Sequence, residues 1–523
     1  MPPRPRKPSE LTQQVIPLLL LAIGLVTTNN SAPVIDDEAH ILDVAAKPLH
    51  ATLSAFFSGA GTLDHPPLYN VLLHFWLQST QGNFDFLRIP SILFFVAGLF
   101  LLARATRYFT GPKGGYAVVW LGVLWPFGFH FARLAAGYSF SFFLVAGLTL
   151  SYFNYLQEQS GRRLAALFLF GAALLWTNYF GWAILACLGL DHLLRLRNKE
   201  QAASSKSLLA TAALLAVISI PLVSPFRAQL SHAIHVHNGP VSILANMALN
   251  IFSLFVSESV APWFWWLSVP VGVVILSVLG LVGWWLARPA RRLLLYGALL
   301  IIAMALIGIL QTKYLLMISP WVLMPAGIAI ETAKPRWATF GLAGALLVIG
   351  AVGWYGIYAK RYYSAPQFIE PWQEIAADAA NQVSGGATVI ADHPSFLFYL
   401  TYYLHLPIQN VPWRFEGLLP DSVTHPQVFS PQGWLNAGHP THGKMMVIRA
   451  GRDLAGTDPI DQSISLLDQS CGSISSRLRM RDTGYAWKQR FFPNLHEPLW
   501  RIEIREYDCN ATNSKQIYPL PSQ

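Results

Sequence analysis

Apolar runs long enough to cross a bilayer recur between residues 11 and 358, and few folds are open to a chain built that way. Crossing a ~30 Å hydrocarbon core takes about 20 helical residues. In lipid, every backbone polar group must be satisfied within the protein, so such runs fold as helices. The candidate spans are 11–28, 88–108, 115–131, 135–156, 163–177, 179–194, 207–225, 263–287, 292–310, 313–332 and 337–358. They predict an α-helical polytopic membrane protein with about eleven transmembrane helices. Charged residues make up 12% of the chain and hydrophobic ones 53%. That is about half the charged share of a soluble domain, so lipid must solvate much of the surface.

The formal charge of +9 does not point to nucleic acid, because the Lys and Arg residues cluster in short loops between spans, where they set orientation. Arg4, Arg6 and Lys7 place the N-terminus in the cytoplasm, ahead of an uncleaved first helix. Later clusters at 104–113, 162–163, 195–206, 288–292 and 334–336 alternate correctly if the short run 66–77 does not cross. That run opens with Pro66-Pro67 and reads as an interfacial or re-entrant helix. The outer segments are then 29–87, the turns near 130–137, 177–180 and 311–313, the loop 226–262, and everything after residue 360. Two domains are expected: a transmembrane domain, 1–358, and an extracytoplasmic α/β domain, 359–523, with strand-like runs at 387–391 and 444–448. Cys187 lies in an apolar run; Cys471 and Cys509 are either a disulfide of an extracytoplasmic domain or two free thiols.

Polar residues at the outer ends of the spans carry the chemistry. Asp36-Asp37-Glu38 follow the first span. They can serve as a base or bind a cation, or they can simply favour a helix N-terminus. Asp64 and His65 precede Pro66-Pro67, which can start a helix but not sit inside one. Arg88, Arg133 and Lys313, with Tyr138 and Tyr314 nearby, sit on the outer side against the usual bias. They fit either an anionic ligand such as a phosphate or ion pairs with the acids. Thr177-Asn178-Tyr179-Phe180 is a polar break that also suits a tight hairpin. His232, His235 and His237 share a loop with Glu258 but have no supporting metal motif. Trp372, Trp413 and Trp434 suit either sugar stacking or a core. No phosphate-binding glycine loop or serine-hydrolase elbow is visible.

Taken in order, these pieces resemble the bacterial membrane glycosyltransferases of the GT-C superfamily, relatives of the protein O-mannosyltransferases and of the lipid A aminoarabinose transferase. Asp37-Glu38 resembles the acidic pair after the first helix, and Asp64-His65-Pro66-Pro67-Leu68-Tyr69 an acidic-His-Pro-Pro-Leu-Tyr element. Arg88-Ile89-Pro90-Ser91 is similar to an Arg-Leu-Pro-Ser helix start, and Ala132-Arg133 with Tyr138 to an Ala-Arg-x-x-x-x-Tyr stretch. Thr177-Asn178-Tyr179-Phe180-Gly181 is similar to a Thr-His-Tyr-Phe-Gly hairpin, Lys313-Tyr314 to an Arg-Tyr pair, and Pro371-Trp372 to a short motif entering the soluble domain. Ala136 stands where many relatives carry a second Arg, and Asn178 where the hairpin His is usual.

The resemblance implies inverting sugar transfer from a polyprenyl-phosphate donor to a glycan, lipid or protein hydroxyl, on the outer face of the bacterial cytoplasmic membrane. Asp37 is implied as the base, with Asp36 as its rival and Glu38 orienting the acceptor. Asp64, His65, Arg88, Arg133, Tyr138, Asn178, Tyr179, Lys313 and Tyr314 are implied as substrate-binding. Metal dependence varies across the superfamily, so a divalent cation (Mg or Mn) is left open. A flippase or transporter predicts mid-bilayer charges and inverted repeats, which this sequence lacks. An inactive assembly subunit could dispense with the acidic pair, which is present.

Overall fold

The computed structural model describes the chain apart from residues 1–9, 30–35, 59–64, 201–203, 234–239, 261–264, 287, 335, 359–371, 392, 406–424, 439–440, 452–458, 480–500 and 511–523. It forms two compact units. One comprises Met1–Ser31 and Lys47–Ser364; the other comprises Ala32–Ala46 and Ala365–Gln523.

The first unit is helical. It begins with α1 (Glu10–Thr27); α2 (Asp36–Ala46) belongs to the other unit. Then come α3 (Leu49–Ser58), α4 (Leu68–Ser79), α5 (Ile89–Thr110), α6 (Tyr116–Val123), α7 (Pro126–Ala132) and α8 (Gly137–Gln157). Next are α9 (Gly161–Leu175), α10 (Gly181–Arg197), α11 (Ser205–Ile218), α12 (Val223–Ala233) and α13 (Pro240–Val256). The unit ends with α14 (Trp265–Trp285), α15 (Arg288–Ile307), α16 (Leu315–Ile318), α17 (Pro320–Thr332) and α18 (Arg336–Tyr358). Among the described residues five helices are long and apolar enough to cross a membrane, or up to seven if each bent pair counts as one span. Several expected spans are broken or short. Residues 115–131 divide into α6 and α7 at Pro126, and 313–332 bends by 55° between α16 and α17, at Ser319-Pro320. Proline has no N–H to continue the ladder. The expected loop 226–262 contains α13, a helix of 17 residues that holds a buried Asn250. The polar Asn246 and Asn250 obscure its apolar pattern in the sequence; in the fold, Asn246 Nδ2 donates to Leu310 O at 3.2 Å and Asn250 Nδ2 to Asn246 O at 2.8 Å.

Groups freed by the breaks find side-chain partners, as a dry interior requires. At the α6–α7 break, Trp354 Nε1 donates to Leu124 O at 2.8 Å, and Trp125 Nε1 donates to Leu254 O at 2.6 Å. At the start of α6, Glu331 of α17 accepts the N–H groups of Gly115 and Ala117, each at 2.9 Å. Asp191 accepts from Arg195 Nε at 2.5 Å and from Tyr152 at 2.8 Å, while Arg292 bridges to Glu200 at 2.6 Å. This network ties α8, α10 and α15 together. α8 is the most deeply enclosed of the long helices, with 83% of its apolar window buried. A Cβ added at Gly98 of α5 would lie 2.6 Å from the Phe142 ring of α8, so glycine there permits close helix approach.

The second unit is α/β. Its strands are β1 (Thr388–Ala391), β2 (Val428–Phe429), β3 (Lys444–Gly451), β4 (Gly472–Arg479) and β5 (Arg501–Asp508), in the order β2-β1-β3-β5-β4. β1 is parallel to β2 and β3, whereas β5 is antiparallel to both β3 and β4. Its helices are α2, α19 (Trp372–Ser384), α20 (Pro394–Tyr403), α21 (Pro431–Asn436) and α22 (Pro459–Ser470). Met445, Val447 and Tyr507 pack with Trp434, Ile464 and Leu467, while Met446 and Ile448, alternating with them along β3, are buried too. A Cys471–Cys509 disulfide joins the end of α22 to the end of β5.

Gly98→Leu is expected to cost about 1–3 kcal/mol through overpacking. Gly280→Leu, whose added Cβ would meet nothing within 4 Å, should not lower the unfolding midpoint in detergent. A second expectation concerns Glu506 of β5. Burial opposes its ionisation, but hydrogen bonds from Ser475 (2.9 Å) and Gln382 (3.1 Å) and the charge of Arg477 outweigh that and hold its carboxyl below the usual range. A depressed folded value gives stability that is full above the unfolded pKa of about 4.3 and is lost as pH falls through the folded value. Glu506→Gln should therefore lower the melting temperature at pH 7, and the difference from native should close on acidification through about pH 4.

Candidate active site

The motifs expected to carry chemistry in the helical unit are bonded to one another. α4 begins directly after Pro66-Pro67, and the N–H of Leu68 donates to Trp176 O at 2.9 Å. The buried Tyr69 shares a 2.8 Å hydrogen bond with Ser91 of α5, and Ser91 also reaches Ala136 O at 3.4 Å. The Pro-Pro-Leu-Tyr, Ile-Pro-Ser and Ala-Arg-x-x-x-x-Tyr elements are thus held as one cluster. A Cβ at Gly137 would sit 3.6 Å from Tyr69 and 3.8 Å from Thr177. The 177–180 break is a tight turn. Asn178 Oδ1 accepts the N–H of Phe180 at 2.9 Å, an Asx turn that requires a short polar side chain.

Tyr314 sits at the centre of this cluster. It lies on the single 3-10 turn Thr312–Tyr314 before α16. Its ring centroid is 5.6 Å from His65, 6.4 Å from Tyr138 and 5.3 Å from Phe180. Four separate stretches of sequence therefore meet at one phenol. Lys313 Nζ stands 5.6 Å from the same ring. Tyr179 packs on Phe226 at 5.1 Å, and among the described residues its buried hydroxyl has no hydrogen-bond partner.

Arg88 and Arg133 converge on the end of α1. Arg88 donates to Asn29 O at 2.6 Å and Arg133 to Thr28 O at 3.1 Å, while the Arg133 guanidinium lies 4.5 Å over the Phe129 ring. Both are buried, and both meet the negative end of a helix dipole. His130, also buried, feels the charges of Arg133 and Arg88. Its position three residues before Arg133 is the sequence signal that pairs the two.

Asp36 and Asp37 occupy the first two positions of α2, where carboxylates suit a helix start. Glu38 is fully buried. This helix belongs to the α/β unit, not to the unit that holds the tyrosine cluster. The side chains of Asp36 and Asp37, together with Asp64, His235 and His237, lie outside the described residues. Among the described residues no three His, Cys, Asp or Glu side chains come together as a metal-binding group.

No protein-family model matches the chain, and no curated protein sequence does. Solved structures do. ArnT from Cupriavidus metallidurans bound to undecaprenyl phosphate superposes with a TM-score of 0.54 at 12% identity, covering 95% of this chain and 98% of that one. Apo ArnT gives 0.52 at 14% identity, covering 97% and 100%. The chain has the ArnT fold. The S. cerevisiae O-mannosyltransferase Pmt1–Pmt2 complex bound to the sugar donor matches 42% of this chain and 33% of its own, with a TM-score of 0.30 at 18% identity.

Within the ArnT fold, Trp372 and Trp434, two of the tryptophans considered for sugar stacking, are wholly buried; Trp413 lies outside the described residues. Trp372 stacks on His393 at 4.2 Å. Removing one hydroxyl of the Tyr69–Ser91 pair takes a buried hydrogen bond from its partner, at a cost of about 1 kcal/mol. Tyr69→Phe and Ser91→Ala should each lower stability, and the double variant should cost less than the sum of the two. Thermal unfolding of the three proteins checks this.

Proposed function

We propose that the chain transfers a sugar from a polyprenyl-phosphate donor to an acceptor hydroxyl of a glycan, lipid or protein, with inversion, on the outer face of the cytoplasmic membrane. The observation that carries this reading is the ArnT fold over nearly the whole chain, shared with a protein solved bound to undecaprenyl phosphate. The helical unit agrees with it. An apolar cavity of about 330 Å³, lined by Trp120, Leu124, Leu254, Leu323 and Ile349 among others, is suited to a hydrocarbon chain. The C-terminal disulfide suits an extracytoplasmic domain.

In this reading the leaving group is an anionic lipid phosphate. Cations already fixed in place stabilise that charge as it develops, because they need no reorganisation during the step. Lys313 supplies one such cation, beside the Tyr314 cluster that brings His65 and Tyr138 together. Arg88 and Arg133 add two more positive charges in the same unit. A guanidinium carries five N–H donors, so holding a carbonyl does not by itself prevent phosphate contact. Asn178 and Tyr179 shape the turn beside the cluster. Asp37 takes the acceptor proton, Asp36 is its rival, and Asp64 is assigned to the substrate. A divalent cation such as Mg or Mn would draw on Asp36, Asp37 and Glu38, of which Glu38 is buried and the side chains of the other two lie outside the described residues. No step is assigned to one.

The test is transfer by purified protein in lipid, supplied with radiolabelled polyprenyl-phosphate sugars and glycolipid extract. Asp37→Asn at unchanged folding should reduce the rate by at least about 100-fold, and Lys313→Ala by about 100-fold. The anomeric configuration of the product should be inverted. Transfer that survives Asp37→Asn would move the base to Asp36 or Asp64. A folded native protein that transfers no sugar from any such donor would overturn the proposal.

A further inference from the structure

The acidic triplet and the C-terminal domain are far apart in sequence but share one compact unit. α2 has 11 residues, and a helix that short is marginal alone in water. Its helical state therefore depends on whatever covers its buried face. That face carries Glu38, Leu42 and Ala45, spaced i, i+4, i+7, all buried. The helix packed against α2 within the unit is α20. α20 buries Phe396, Leu397, Phe398, Tyr399 and Leu400 in succession, so its middle is enclosed on every side. It is in turn anchored to α19, where Trp372 stacks on His393 just before α20 and lies 6.2 Å from Phe396. α19 rests on β1 of the sheet. A continuous packed path thus runs from the sheet to the helix that begins with Asp36-Asp37-Glu38.

We infer that the C-terminal domain is the positioning element for the acidic triplet: it holds α2 helical and fixes where the first-turn carboxylates stand. Leu42 and the α20 surface are positioning residues, and they act through Asp36 and Asp37 without touching substrate. The structural half stands alone; the catalytic half rests on the sugar-transfer reading.

The experiment is hydrogen exchange by mass spectrometry on the full-length protein in lipid nanodiscs. Segments in α2, α3, α5 and α20 are followed in native protein, in Ile464→Val, which loosens the domain core, and in native protein under low urea. The amides of α2 should exchange about two- to tenfold faster in step with those of α20, as members of one cooperative unit, while α3 and α5 hold their rates. An α2 that follows α3 and ignores α20 would overturn the inference. In the transfer assay, Leu42→Ala should lower kcat by about tenfold with the donor KM within about twofold, and Leu42→Met, close in volume, should restore it. An unchanged kcat in Leu42→Ala would remove the positioning role. If native protein transfers nothing, the exchange comparison still decides whether α2 belongs to the domain, so failure of the functional reading and failure of this inference are told apart.

Discussion

In a chain surrounded by hydrocarbon, an unsatisfied backbone carbonyl or amide has no water to turn to, and this constraint organises the helical unit. At several breaks and helix ends a side chain arrives to bond an exposed group. Trp354 reaches Leu124, Trp125 reaches Leu254, Glu331 reaches Gly115 and Ala117, and the two arginines reach Thr28 and Asn29. Each such bond joins segments remote in sequence. Polar side chains in this unit therefore act as long-range connectors, not as solvated surface.

The candidate site gathers at irregular backbone. The turns at Pro66-Pro67, 177–180 and Thr312–Tyr314 interrupt the helices of this unit. They are joined through Leu68 to Trp176 and through the Tyr314 ring to His65 and Phe180. Short polar and aromatic residues at these turns hold the fold together. Asn178 shows this well, since its side chain closes the turn that presents Tyr179.

Much of this was legible in the sequence. Long apolar runs announced α5, α8, α14, α15 and α18, because each holds at least 18 residues with few charges. The separation of α9 from α10 followed from the polar break at Thr177. α13 was not legible, because its apolar stripe contains Asn246 and Asn250, whose partners Leu310 and Asn246 appear only on folding. Among site residues, His65, Tyr138 and Tyr314 could be placed at the outer ends of spans, but their meeting at one ring appears only on folding. The contact of Arg88 and Arg133 with the end of α1 could not be read, since a basic residue at a span end looks the same whether it faces a phosphate or a carbonyl. The grouping of α2 with the C-terminal strands was hidden too, because packing between distant segments leaves no local signature.

The cap that Glu331 places on α6 has a consequence for how the protein is made. Its carboxylate is the partner of the first amides of α6, yet it lies 216 residues further along the chain. A ribosome feeding the membrane delivers α6 long before it delivers α17. In that interval the amides of Gly115 and Ala117 must borrow partners from water or from the insertion machinery. The start of α6 is therefore synthesised well before the side chain that completes it.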